Sequence, residues 1–264
     1  MVKDHWSEIY TGPSIVTGNA AKVKVLRQLH ALLVNRSTLA ILDVGCVGPK
    51  PLEFWEPLLT HYGSRFHLTG IDVQGIAKAQ EIAAQHGWKD GVTFQQGDGY
   101  HLRDLFAPQA FDVVIATQVL EHVAQLPRFM HQVGTVLRPG GEGFFTIDSA
   151  HWQARFDPCN PLQFVKNLIK KGGSWLGNER HYDLPWFDHE VALASEQAGL
   201  EVVAQRYYNL APLKFIHNHI IPSRDKNTFM HLWFELEEFL NEKKVVPEKV
   251  KHLFMGLYFH VSKV

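Results

Sequence analysis

The sequence predicts one α/β domain: a mostly parallel, seven-stranded sheet with helices on both faces, an antiparallel strand at its C-terminal end, and two long insertions. Three observations predict it. From residue 38 onward, short apolar runs alternate with segments of helical period, which is the rhythm of βαβ units and a parallel sheet. Several of these runs end in an acid or a glycine, as strands do where they meet a turn into a helix. The 264 residues, 45% apolar and 20% charged, supply enough apolar substance for one large core, and no Gly-, Ser- and Pro-rich linker divides them.

The elements follow in order. Within the N-terminal segment 1–37, residues 23–34 form an amphipathic helix with Val23, Leu26, Leu29 and Leu33 on one face. TLAILDVGC is the first strand. After Pro51, Leu52, Trp55, Leu59 and Tyr62 recur at spacings of three and four, and Gly63 can close that helix. FHLTGIDV is the second strand, 76–86 a helix ending at Gly87, and VTFQQGD the third strand. FDVVIATQV is the fourth. Leu126, Phe129, Met130, Val133 and Leu137 then make a helix that stops at RPGG, ahead of GFFTID. Asp188 caps a helix running to Gly199, LEVVAQRYY is a strand, and FMGLYFHVSKV closes the chain as another. The arrangement is Rossmann-like.

Residues 149–187 and 207–250 break the rhythm, being long for connections in a compact domain. Both are rich in aromatic residues. Placed after the last parallel strands, they overhang the carboxyl edge of the sheet, where open α/β sheets bind ligands. They are read as a cap over an acceptor pocket, with Trp152, His181, Tyr182 and Tyr207 as pocket residues.

Composition narrows the partners. Twenty-six Lys and Arg against 27 Asp and Glu leave a net charge of -1, with no global field to collect a polyanion, so no nucleic-acid partner is expected. Cys46 and Cys159 are the only cysteines, too few for a disulfide framework. MVKDHWSEIY lacks an apolar signal core, and no apolar run approaches the roughly 18 residues that span a bilayer. A cytoplasmic protein without stable membrane insertion is expected.

The strongest local signal is ILDVGCVGPK, an apolar strand ending in Asp43 and followed by Gly45 and Gly48. Glycines there let backbone approach a ligand. The second strand ends in Asp72 and the third in Asp98, between Gly97 and Gly99, so three successive strands finish with an acid at one edge. Each acid alone could equally cap a helix or stabilise a turn.

Motif for motif, these segments resemble the class I S-adenosylmethionine-dependent methyltransferases. ILDVGCVGP resembles the glycine-rich first motif, GIDV the second, GDGY the third, FDVVIATQVLEHV the fourth and LRPGGEGFFTID the fifth. The likeness covers about residues 20–148 in register and, more loosely, 188–207. The VLEHV and LRPGG pair is characteristic of the small-molecule branch that includes ubiquinone-biosynthesis O-methyltransferases. By this resemblance the cofactor is S-adenosyl-L-methionine. Asp43 and Gly45, with Cys46 and Gly48, line its methionine part; Asp72 and Val73 hold the ribose; Asp98 and Gly99 meet the adenine; Thr117 and Gln118 lie near the sulfonium. The family's loop carries glycines where this chain has Val47 and Pro49.

The resemblance also places His122 beside the pocket as a general base, since an imidazole titrates near neutrality. Relatives that hold a divalent ion carry a glutamate three residues before the EH pair, where this chain has Gln118, and a neutral amide is a poor partner for a hard cation. No metal is expected. The reading is methyl transfer at oxygen to a small organic acceptor, aromatic or otherwise flat, or apolar. Two alternatives stand: a non-catalytic methyltransferase-like subunit, marked by the irregular first motif, and an RNA 2′-O-methyltransferase.

Overall fold

The structure, a computed structural model, describes residues 19–47, 52, 54–88, 90–148, 186, 188–243 and 253–264. It forms one seven-stranded sheet of order β3-β2-β1-β4-β5-β7-β6. The strands are β1 (Leu39–Val44), β2 (Phe66–Asp72), β3 (Val92–Gln96), β4 (Phe111–Thr117), β5 (Leu137–Asp148), β6 (Leu200–Leu210) and β7 (Phe254–Lys263). Only β7 runs against the rest, antiparallel to both β5 and β6. The central strands β1 and β4 bury side chains on both faces, which is why ILDV and VVIA read as continuous apolar runs.

Helices α1 (Ala20–Asn35), α2 (Glu56–Tyr62) and α3 (Ile76–Gln85) cover one face, packing on Ile41, Leu68, Phe94 and Ile115. On the other face lie the one-turn α4 (Leu102–Leu105), α5 (Leu126–Val136) and α6 (Asp188–Gln197), against Leu42, Val114, Phe145 and Val261. The stripe Val23, Leu26, Leu29 and Leu33 is the buried face of α1, and Asn19 caps it by accepting from Lys22 N–H at 3.2 Å. Among the described residues, no helix is long and apolar enough to cross a membrane.

Several elements differ from the sequence reading; the helix placed after Pro51 begins only at Glu56, leaving Leu52 outside it at φ +66°. RPGG is not a turn before β5 but its irregular beginning. Phe111 pairs with Leu137 and Val113 with Glu142, so the extra residues bulge through Gly140 at φ +69°. In the second insertion, Tyr207 and Tyr208 still belong to β6, and the chain leaves the sheet only at α7 (Ala211–His219), followed by α8 (Lys226–Glu242). Tyr208, Trp233 and Phe234 are core residues, with Tyr208 stacked on Phe234 at 6.0 Å.

Because β6 is an edge strand, its outward backbone groups need partners. Side chains of α8 provide them. Asn241 accepts from Tyr207 N–H at 2.9 Å and donates to Tyr207 C=O at 2.8 Å. Glu237 accepts from Asn209 N–H at 3.0 Å, Leu210 N–H at 2.6 Å and the Trp233 indole N–H at 2.6 Å. Glu238 accepts from the Tyr208 hydroxyl and pairs with Lys24 of α1. The last residues of this edge, Tyr207 to Leu210, are thereby covered.

Candidate active site

After β1 the chain winds to β2 and β3 on one side, then crosses to β4 on the other, leaving a crevice outside the carboxyl ends of β1 and β4. Register brings the motif ends level. Asp43 pairs with Gly70 and Ile115, and Asp72 pairs with Gln96. The segments 43–46, 72–73, 97–99 and 117–118 therefore lie along one edge of the sheet.

Asp43, 5% exposed, is held by the Trp55 indole N–H, which donates to Oδ2 at 2.6 Å. Burial pushes its carboxyl from 3.8 up to about 7; the Trp55 hydrogen bond and Lys22 pull it down, and Asp72 adds to the rise. Cys46 is also buried, and its thiol is pushed up by burial and by the nearby Asp43 and Asp72. Asp43, Cys46 and Asp72 thus form one electrostatic cluster.

Gly45 has φ +79°, and a Cβ there would lie 2.5 Å from a Val119 methyl, so this turn requires glycine. Its N–H and that of Cys46 both donate to Ile71 C=O, at 2.8 and 3.2 Å. Asp72 accepts from Val47 N–H at 2.9 Å and from Gln74 N–H at 3.3 Å, tying the loop after β1 to the end of β2. Val73 beside it is exposed. Asp98 accepts from Tyr100 N–H at 2.9 Å and caps the short 3-10 turn Gly99–His101. Gly99 abuts the Phe129 ring, which a Cβ would approach to 2.6 Å.

At the end of β4, Gln118 takes φ +59° while its N–H donates to Thr146 C=O at 2.9 Å and Thr146 Oγ1 at 3.1 Å. A 3-10 turn, Leu120–His122, then buries Glu121 and leaves His122 exposed. The next residue, Val123, accepts from the Trp186 indole N–H at 2.9 Å. The first insertion accordingly leaves from the carboxyl end of β5 and returns beside His122. Gly48, Trp152, His181 and Tyr182 lie outside the described residues.

Tyr207 stands apart from this group. It is 7% exposed on β6, three strands from β4, or about 14 Å at ordinary strand spacing. Its hydroxyl donates to Asp188 at 2.5 Å and accepts from Gln205 at 2.6 Å, within the contact between α6 and β6. A groove of about 650 Å³ lined by Phe66, His67, Trp88, Asp112 and Arg138 opens at the opposite, amino edge. It is remote from the motif residues and is not assigned to them. Sequence reasoning missed Trp55 and Trp186 as site residues, because periodicity and composition do not reveal where an indole N–H points.

A parallel sheet with this crossover, one reversed strand and acids at the ends of β1 and β2 defines an α/β protein built around a nucleoside-type ligand. A family model described as a methyltransferase domain matches residues 35–192. The chain belongs to that family and is an S-adenosylmethionine-dependent methyltransferase. It is 26% identical over 202 residues to the ubiquinone biosynthesis O-methyltransferase of Bordetella avium, covering 76% of each chain. It superposes on a Galdieria sulphuraria structure provisionally assigned as a sarcosine dimethylglycine methyltransferase with TM-score 0.60 and 12% identity, covering 98% and 96% of the two chains. The phosphoethanolamine N-methyltransferase 2 of Haemonchus contortus, in complex with S-adenosyl-L-methionine, gives TM-score 0.59 at 16% identity, over 98% of this chain and 56% of that one. The residues present fit this cofactor: carboxylates and a close-approach glycine suit an ammonium, ribose hydroxyls and an exocyclic amine, none of which needs a phosphate cradle.

Proposed function

We propose that the chain transfers a methyl group to an oxygen of a small organic acceptor with a flat or apolar body, and that residues 149–187 cap that acceptor. The observation that carries the reading is the placement of His122, exposed on the turn after β4 and next to the point where Trp186 brings the insertion back. The relative from Bordetella avium is named an O-methyltransferase, which supports oxygen as the accepting atom.

When bound, the cofactor supplies an activated methyl carbon. Asp43, Gly45, Cys46 and Gly48 hold its methionine end, Asp72 and Val73 the ribose, and Asp98 and Gly99 the adenine. Thr117 and Gln118 border the methyl group. His122 Nε2 or Nδ1 accepts the acceptor's hydroxyl proton as the oxygen attacks, and the cap excludes water. Trp152, His181 and Tyr182 contribute to the acceptor pocket from within the cap. Tyr207 contributes from the edge of the same sheet by fixing α6, which follows directly after the cap.

Incubation with methyl-labelled S-adenosylmethionine and a panel of phenols and catechols, beside amines of matched size, tests the proposal. Label on oxygen is the expected result. Label confined to amine nitrogen overturns it.

A further inference from the structure

The carboxylate of Asp43 is a buried acid at the switch point of the sheet, and among the described residues the Trp55 indole N–H is its only hydrogen-bond donor. Trp55 has little freedom to be elsewhere. It is 1% exposed, its ring packs edge-on to Phe54 at 5.3 Å and against Phe66 at 6.0 Å, and its backbone N–H donates to Leu52 C=O at 2.8 Å. The bond engages Oδ2 alone and leaves Oδ1 with acceptor capacity.

We propose that Trp55 is a positioning residue of the cofactor site, fixing Asp43 through the indole hydrogen bond so that the second carboxylate oxygen receives the ammonium of the cofactor's methionine end. This rests on the reading that Asp43 lines that end. Among the described residues, the other charged or titratable groups facing Asp43 are Lys22 from α1, Asp72 from β2 and Cys46 just beyond β1. Lys22 and the indole favour the carboxylate, whereas burial and Asp72 favour the acid. An ammonium is attracted by the carboxylate and not by the acid, so ammonium binding at this site releases a proton when the pH lies below the Asp43 midpoint.

The test compares two nucleosides by calorimetry across the pH range in which Asp43 titrates. S-adenosylhomocysteine carries the ammonium; 5′-methylthioadenosine lacks the amino-acid end. For the wild type, S-adenosylhomocysteine affinity should rise with pH and level off above about 7, the midpoint of Asp43, while methylthioadenosine affinity stays flat. Trp55→Phe keeps the ring and removes the donor. It should weaken S-adenosylhomocysteine about tenfold near neutrality, change methylthioadenosine by less than about twofold, and move the midpoint upward.

Asp43→Asn should abolish the pH dependence, which tests the underlying assignment of Asp43 separately from the role of Trp55. Equal loss of both nucleosides in Trp55→Phe, or an unchanged midpoint, overturns the proposal. If Trp55→Phe does not fold, the seven indole N–H resonances of the wild type decide. One of them should titrate with the Asp43 midpoint and shift with S-adenosylhomocysteine but not with methylthioadenosine. If none does, the proposal fails.

Discussion

Replacing Glu237 with Gln separates the two forces acting on a buried acid that accepts three hydrogen bonds. Its Oε1 accepts from Leu210 N–H and the Trp233 indole N–H, and its Oε2 from Asn209 N–H. A glutamine carbonyl can serve the first two, but its amide nitrogen then turns a donor toward Asn209 N–H. An orphaned buried donor costs about 1–3 kcal/mol. Ionisation acts the other way. Burial lifts Glu237 from 4.5 to about 7, the three donors pull it down, and Glu238 lifts it further. Since the folded-state value lies above the unfolded one, this group's stabilising contribution is complete below pH 4.5 and is lost as pH rises through about 7. At about 1.4 kcal/mol per unit, the wild type sheds roughly 3 kcal/mol over that window. Glu237→Gln sheds none at this site. Its deficit should therefore be largest near pH 5 and shrink to about zero, or change sign, by about pH 8. Urea titrations of both proteins followed by tryptophan fluorescence measure the difference, in which the histidines and Asp43 cancel. A deficit that is constant or grows with pH would show a carboxylate ionised throughout, with its three donors outweighing burial, and would refute the reasoning.

Three further outcomes are expected. Asp72→Ala should weaken S-adenosylhomocysteine binding by about 1–3 kcal/mol in calorimetry, since Val47 N–H and, on the proposed reading, the ribose hydroxyls lose their acceptor; unchanged affinity removes Asp72 from the ribose contact. Gly45→Ala forces φ +79° on a residue whose Cβ meets Val119 at 2.5 Å, so the melting temperature should drop by about 2–8 °C, and an unshifted melt contradicts the turn as described. His122→Ala should lower the methylation rate by about 10² to 10⁴-fold with cofactor affinity unchanged and no response to EDTA. Full activity in that variant, or rescue of EDTA-treated enzyme by Mg²⁺, ends the metal-free base assignment.

The parallel sheet was legible because β1 and β4 must be apolar on both faces, and because the helices of the first half carry their apolar residues at regular spacing. The edge of the sheet was not. The buried face of α8 is Met230, Trp233, Phe234, Glu237, Glu238 and Asn241, a regular helical stripe whose second half is polar. Glu237 and Asn241 face inward to satisfy the backbone of the edge strand β6, and Glu238 to meet the Tyr208 hydroxyl and Lys24, facts of topology that no local window contains. For the same reason Tyr207 and Tyr208, which read as the start of a cap, prove to be strand residues. In the candidate site, position along the chain identified the strand-end acids and Gly45, but not their partners. Asp98 caps a turn and Asp72 holds the β1 loop, so the structural roles open to these acids are present alongside the proposed binding ones.

Asp43 and Glu237 make the distinction between scaffold and site concrete. Both are buried carboxylates lifted to about 7, chiefly by desolvation, and each accepts an indole N–H at 2.6 Å, from Trp55 and Trp233 respectively. They differ in how much acceptor capacity the protein itself fills. Glu237 meets two backbone N–H groups in addition to its indole, and those bonds cover the end of the edge strand β6. Among the described residues Asp43 accepts from its indole alone, with Lys22 acting on it only through its charge, at the crevice where the strand order reverses. A buried carboxylate with few donors is poorly compensated, and on the proposed reading of the site the ammonium of the cofactor would supply what is missing. The same chemical pair thus helps cover a sheet edge at Glu237, while at Asp43 the proposed reading gives it a role in recognition.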